Sequence, residues 1–141
     1  MYSYKYPRPA LTTDGIVLKK ESKQLLLIQR GIEPYKGKWA LPGGFMEMDE
    51  LLVDACKREL MEETGLEVLE LTQFTAADKV DRDPRGRTIS ILFYGYVAED
   101  AVVKGGDDAA KAEWFPIDDL PELAFDHADL IARFKREILS L

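Results

Sequence analysis

The chain has 141 residues, 46% of them hydrophobic, and a formal net charge of −7. That acidity argues against a nonspecific nucleic-acid surface, which needs dense Lys and Arg, and no stretch approaches the roughly 20 apolar residues that cross a bilayer. A single cysteine, Cys56, excludes an intrachain disulfide and suits a reducing compartment.

Residues 1–9 carry no apolar run of the signal-peptide kind, so a cytoplasmic protein is expected. Residues 11–19 and 24–30 are apolar, β-rich runs separated by Lys20 to Lys23, the pattern of a hairpin. Leu41, Pro42, Gly43 and Gly44 form a loop, and a helix is expected from about Glu50 to Thr64, with Asp49 as N-cap and Gly65 as a left-handed C-cap backed by Leu66. Residues 68–76, 87–98 and 112–116 read as strands. Leu130, Ile131, Phe134 and Ile138 recur at helical spacing, which predicts a terminal helix over the sheet. Strands mixed with two main helices define one α/β (α+β) domain over residues 1–141.

The helix at 50–64 carries the chemistry. At roughly 100° per residue, Leu52, Val53, Cys56 and Leu60 form its core face, while Asp54, Lys57, Arg58 and Met61 project to the other side. Glu59 and Glu63 lie beside Cys56, one turn apart, with Glu62 as neighbour. Like charges at that spacing repel, and an ionised carboxylate is costly to desolvate without a partner. A divalent cation relieves both penalties, and oxygen-only ligands favour Mg²⁺ or Mn²⁺. Three Glu alone equally describe a solvated acidic helix end. The flanking Gly43-Gly44, which permits close backbone approach, tilts the balance to metal, and Arg58 is spaced to pair with Glu62 at i, i+4.

Gly44, Glu50, Arg58, Glu59, Leu60, Glu62, Glu63, Gly65 and Leu66 fill every specified position of the pattern G-x5-E-x7-R-E-U-x-E-E-x-G-U, where U is aliphatic. Residues 44–66 thus resemble the Nudix box, and the chain is identified as a member of the Nudix hydrolase family. The resemblance implies an α/β/α sandwich around a mixed sheet and Mg²⁺- or Mn²⁺-dependent hydrolysis of a nucleoside diphosphate linked to another group. It implies that Glu59, Glu62 and Glu63 bind metal with the carbonyl of Gly43, and that Arg58 orients the carboxylates. Gly44 and Phe45 are then expected beside the substrate.

Outside the box, residues 78–87 form a polar connection bearing Arg82, Arg85 and Arg87. Their guanidinium forks suit phosphate or ribose oxygens, although the charges of such a loop can also pair among themselves. The run from Asp81 through Ser90 is similar to the loop of ADP-ribose pyrophosphatase-like Nudix proteins, which implies ADP-ribose as substrate and AMP and ribose 5-phosphate as products. Gly105 to Ala110 resembles the family loop that supplies an acid from outside the box, so Asp107 and Asp108 are catalytic candidates beside Glu63, with Glu113 weaker; paired acids in loops are otherwise solvated turn residues. His127 is either a cap or hydrogen-bonded structural residue or a substrate contact. Phe45, Tyr94 and Trp114 are candidates to stack on adenine, with core packing as the alternative for most aromatic residues.

Two further readings share the box: a (d)NTP pyrophosphohydrolase that clears damaged nucleotides, and a noncatalytic ADP-ribose-sensing module of the kind joined to a DNA-binding domain. The chain runs only from Leu66 to Leu141 after the box, so no additional DNA-binding domain is expected, and the intact acids favour turnover. The expected partner is a nucleotide-sugar, with neither nucleic acid nor membrane, and the Tyr- and Pro-rich residues 2–9 suit either contact with a second subunit in a homodimer or an extended tail lying on its own domain.

Overall fold

Ile16 and Leu18 of β1 (Ala10–Lys19) pack in one apolar cluster while Val17, between them, packs in another. The same alternation sends Leu25 and Leu27 of β2 (Gln24–Arg30) to the first cluster and Leu26 and Ile28 to the second. Strands buried on both faces require cover on both. Leu130, Ile131 and Phe134 of α2 (His127–Phe134) close the first cluster, and Cys56 and Leu60 of α1 (Leu52–Thr64) close the second. The result is the expected sandwich, in a computed structural model that describes residues 3–106 and 109–141.

The sheet is mixed. Its main path runs β3 (Trp39–Ala40), β2, β1, β6 (Thr88–Val97), β5 (Thr72–Ala77), with β4 (Gly43–Phe45) added to β1 and β7 (Ala109–Pro116) to β2. β1 and β6 are parallel, from Ala10 opposite Thr88 to Lys19 opposite Val97, whereas the remaining pairings between strands are antiparallel. The hairpin of β1 and β2 lies where the sequence places it.

Several boundaries differ from expectation. α1 starts at Leu52, not Glu50, and its N-cap is Leu51, extended at φ −73° and ψ 153°, without a side-chain cap from Asp49. Glu50 instead accepts a hydrogen bond from the Glu47 amide at 2.7 Å and stabilises the turn ahead of the helix. The strand expected at 68–76 enters the ladder only at Thr72, opposite Tyr94, because Val68 turns its side chain into the core beneath α1. β7 begins earlier than residue 112, since Ala109 and Lys111 already pair with Arg30 and Gln29. After Phe134 the last helix widens into a π turn, Lys135–Leu139, which carries Ile138. Gly65 does close α1 in the left-handed region at φ 71°, its amide donating to the Met61 carbonyl.

One irregularity of the sheet positions the site. β1 pairs with β2 at Leu18 and Lys19 but with β4 at Thr12, Thr13 and Asp14. Between the two, the Gly15 amide donates to the Pro42 carbonyl at 2.9 Å. Two strands therefore share one edge of β1, and the glycine pair of β4 is inserted between the sheet and α1.

Candidate active site

Gly43 and Gly44 lie where other residues do not fit. A Cβ on Gly43 would collide with the Thr13 carbonyl and stand 2.8 Å from the Asp14 Cα; one on Gly44 would stand 2.7 Å from the Glu59 carboxylate. Backbone and acid therefore share a space with no room for a methyl group. The Gly43 amide donates to Oε1 of Glu63 at 2.7 Å.

Glu63 is 6% exposed, and burial pushes its carboxyl up to about 8. The Gly43 amide opposes that shift, and the negative charges of Glu59 and Asp14 reinforce it. A carboxyl so placed gains by facing a cation. Glu59 lies beside it, whereas Glu62, about 100° around the helix from Glu63, has a side chain 41% exposed at the rim. The three acids line one cleft, yet among the described residues no three acid, His or Cys side chains already form a cage for an ion. Glu59 and Glu62 both accept from Nη1 of Arg58, at 2.8 and 3.3 Å.

Arg58 does more than pair with Glu62. Its Nε and Nη2 donate to both oxygens of Glu50, at 3.1 and 2.7 Å, and Nη2 also reaches the Phe45 carbonyl at 3.1 Å. Rather than projecting to water, it joins the turn before α1, the carboxylates of α1 and β4 in one network. The oxygen-only donor set, the glycine cradle and the buried acid fit Mg²⁺ or Mn²⁺, with Glu59, Glu62, Glu63 and the Gly43 carbonyl as the groups that would hold it.

The cleft has a volume of about 330 Å³, sufficient for a small ligand. Of the three loop arginines, Arg82 and Arg85 line it and Arg87 does not. All three already hydrogen-bond within the protein, and the Arg85–Asp83 pair is the internal pairing of loop charges that the sequence left open beside phosphate binding. Arg82, 7% exposed, is bidentate to Asp126 at 3.0 and 2.8 Å; Arg85 is bidentate to Asp83 at 3.1 and 2.8 Å; Arg87 donates to the Asp78 carbonyl. Burial pushes the Asp83 carboxyl up, but the Arg85 side-chain and backbone N–H groups outweigh it and hold it below the usual range.

His127 lines the floor of the cleft, buried, and its Nδ1 accepts from the Leu41 amide at 3.0 Å. It secures the loop ahead of Gly43. Asp14 and Arg30, also in the lining, were not singled out in the sequence. Asp14 is fixed by the Ser90 hydroxyl, which donates to its Oδ2. Its position on an apolar strand directly before Gly15 was the signal available: an acid inside a buried run. Tyr94 packs against Phe134, and Trp114 meets Lys19; neither lines the cleft, unlike Phe45. Asp107 and Asp108 lie outside the described residues.

The NUDIX domain family pattern matches residues 9–134. The chain is 45% identical over 131 residues to the ADP-ribose pyrophosphatase of Methanocaldococcus jannaschii, a match covering 93% of this chain and 76% of the relative. It is 36% identical over 132 residues to the ADPR responsive transcriptional repressor NtrR of Acinetobacter baylyi, covering 89% of this chain and 53% of the repressor, so the chain spans about half of that relative's length. Among solved structures, the NUDIX domain of Shewanella oneidensis NrtR complexed with ADP ribose matches with a TM-score of 0.88 at 27% identity, over 97% of this chain and 94% of that one. A MutT/nudix family protein from Enterococcus faecalis matches with a TM-score of 0.89 at 27% identity, over 99% of this chain and 66% of that one. Fold and site define a pyrophosphohydrolase, and the chain belongs to the NUDIX family. No helix among the described residues is long and apolar enough to cross a membrane.

Proposed function

We propose that this chain hydrolyses ADP-ribose to AMP and ribose 5-phosphate with Mg²⁺ or Mn²⁺. The observation that carries this reading is the set of Glu59, Glu62 and Glu63 around Gly43 and Gly44, in a chain 45% identical to an archaeal ADP-ribose pyrophosphatase. When bound, a divalent cation supplies Lewis acidity to the diphosphate and to the attacking water.

The protein's own groups do the rest. Arg58 orients Glu59 and Glu62 from a fixed guanidinium plane, and Gly43 holds Glu63 through its amide. Water adds to one phosphorus, the bridging P–O bond breaks, and the oxygen leaves with ribose 5-phosphate or AMP. A base must take the proton of that water; Glu63 and the acids of the 107–108 loop are the candidates. On this reading the chain is one domain over residues 1–141 in the cytoplasm, without nucleic acid as partner, and its Tyr- and Pro-rich residues 2–9 suit a second subunit as well as they suit the domain's own surface.

A second reading has a specific observation behind it: NtrR is described as an ADPR responsive repressor, and it shares 36% identity with this chain. A sensing domain would bind ADP-ribose without turnover. A third, action on (d)NTPs, draws on 29% identity over 106 residues to a putative 8-oxo-dGTP diphosphatase of Bacillus subtilis. A metal-dependent screen across ADP-ribose, other ADP-sugars, dinucleoside polyphosphates, NADH and normal and oxidised triphosphates separates the three. AMP released from ADP-ribose supports the first; binding without product supports the second; pyrophosphate from triphosphates alone supports the third.

A further inference from the structure

We propose that Phe125, Phe45 and the guanidinium of Arg85 form the seat of a planar nucleobase, so that Phe125 and Arg85 set specificity for the base and not for the diphosphate. This deepens the proposed function and rests on its reading of the cleft as a nucleotide site.

Arg85 is unsuited to be a phosphate hook. Its Nε and Nη2 donate to the two oxygens of Asp83, and its own backbone amide donates to Asp83 as well, at 2.9 Å. The pair is close to neutral as a unit, which weakens its pull on an oxyanion. The guanidinium is instead built into an aromatic tier. Its Cζ stands 5.0 Å from the Phe45 ring centroid and 5.8 Å from that of Phe125, within the range at which cations and aromatic faces attract. The side chain of Arg85 is 40% exposed and Phe45 is 44% exposed, so the tier is open to an incoming ring. Guanidinium planes and aromatic rings are both stacking surfaces for bases.

Phe125 is held there against its backbone preference. Its φ of 54° lies in the left-handed region, which bulky residues rarely adopt and which costs of the order of 1 kcal/mol or more. Neighbours on each side enforce it: the Ala124 amide donates to the Trp39 carbonyl at 2.8 Å, and Asp126 receives the fork of buried Arg82. Tyr35, also left-handed at φ 61°, meets the Phe125 ring edge to face at 4.8 Å. Strain sustained from several directions at the mouth of a cleft marks a ring whose position matters.

Calorimetric titration of the full chain with AMP and with ribose 5-phosphate, at one fixed Mg²⁺ concentration, tests the proposal, since the two ligands share a phosphate and a ribose and differ in the base. The wild type is expected to bind AMP at least tenfold more tightly. Phe125→Leu, which keeps bulk and removes the flat face, should lower AMP affinity roughly tenfold while leaving ribose 5-phosphate unmoved; Phe125→Trp should keep the preference. Arg85→Lys, at the exposed rim, should reduce AMP binding in the same selective way and carries the test if Phe125→Leu does not fold. Equal losses for both ligands, or none for either, overturn the seat. A wild type that prefers AMP but leaves ADP-ribose intact overturns the proposed reaction and keeps the seat; cleavage of ADP-ribose with both variants retaining AMP affinity overturns the seat alone.

Discussion

The amide of Gly43 and the carboxylate of Glu63, twenty positions apart in sequence, share a 2.7 Å hydrogen bond that ties β4 to the last turn of α1. The bond fixes the acid relative to the glycine pair before any ligand arrives. Such preorganisation makes the cleft sensitive to small intrusions along β4.

Gly44→Ala places a methyl group 2.7 Å from the Glu59 carboxylate. Because the acid can swing away, the fold should persist with a midpoint of thermal unfolding within a few degrees of wild type. Activity should fall about 100-fold, the scale on which a misplacement of an ångström acts. At Gly43 the added methyl meets main chain in the ladder with β1, where nothing yields, so Gly43→Ala should lose stability outright. Melting curves beside kcat/KM separate the two effects; unchanged turnover in Gly44→Ala would count against the close fit of Glu59.

Arg58→Lys keeps the charge but forfeits the planar fork that bridges Glu50, Glu59, Glu62 and the Phe45 carbonyl. Metal affinity should weaken about 10- to 100-fold, the range for loss of a group that orients ligands. Titration with Mn²⁺ followed by its electron resonance signal reads this directly. Affinity equal to wild type would remove Arg58 from ligand positioning.

The sequence makes the helix of the site legible because Glu59, Glu63, Cys56 and Leu60 are set by helical period, and a period extends over many residues. Strands β1, β2 and β6 are long enough to show the same kind of signal. β3 and β4, of two and three residues, have no period, and their place follows from tertiary insertion of Gly43 and Gly44 between β1 and α1. The functions of Arg82 and Arg85 were hidden for a related reason: composition shows three arginines, but only the fold brings Asp126 to Arg82 and turns Asp83 onto Arg85. The left-handed backbone of Phe125 leaves no trace in residue type, since Phe is among the residues least expected there.

Burial holds the imidazole of His127 below its ordinary value near 6.5; Asp14 and Asp126 pull upward, and the charges of Arg82 and Arg30 add to the downward shift. A base neutral in the fold and protonated in the unfolded chain contributes stability above the unfolded pKa, and that contribution is lost as pH falls below about 6.5 toward the folded value. Urea unfolding between pH 5 and 8 should show this slope, and His127→Gln should flatten it. The chain has one histidine, so its ring resonances report alone. Titration of that ring above 6.5 in the folded protein would refute the assignment.

Arg82→Ala leaves Asp126 without its bidentate partner in a largely buried setting. Loss of one member of such a pair costs about 3 kcal/mol or more. The double variant Arg82→Met with Asp126→Leu should recover part of that loss, because no charge is left stranded. Chemical unfolding of both variants gives the comparison; a loss under about 1 kcal/mol in Arg82→Ala would mean that water already screens the pair.

The most direct test of the central claim, that the acids of α1 act with metal on a diphosphate, is release of AMP from ADP-ribose by wild type and Glu63→Gln at saturating Mg²⁺. The amide retains the shape of Glu63 and its bond from Gly43 while removing the charge. Wild type should turn over, chelation should stop it, and Glu63→Gln should be inactive with an unchanged fold. Turnover by Glu63→Gln near the wild-type rate, or by wild type in excess chelator, would contradict it.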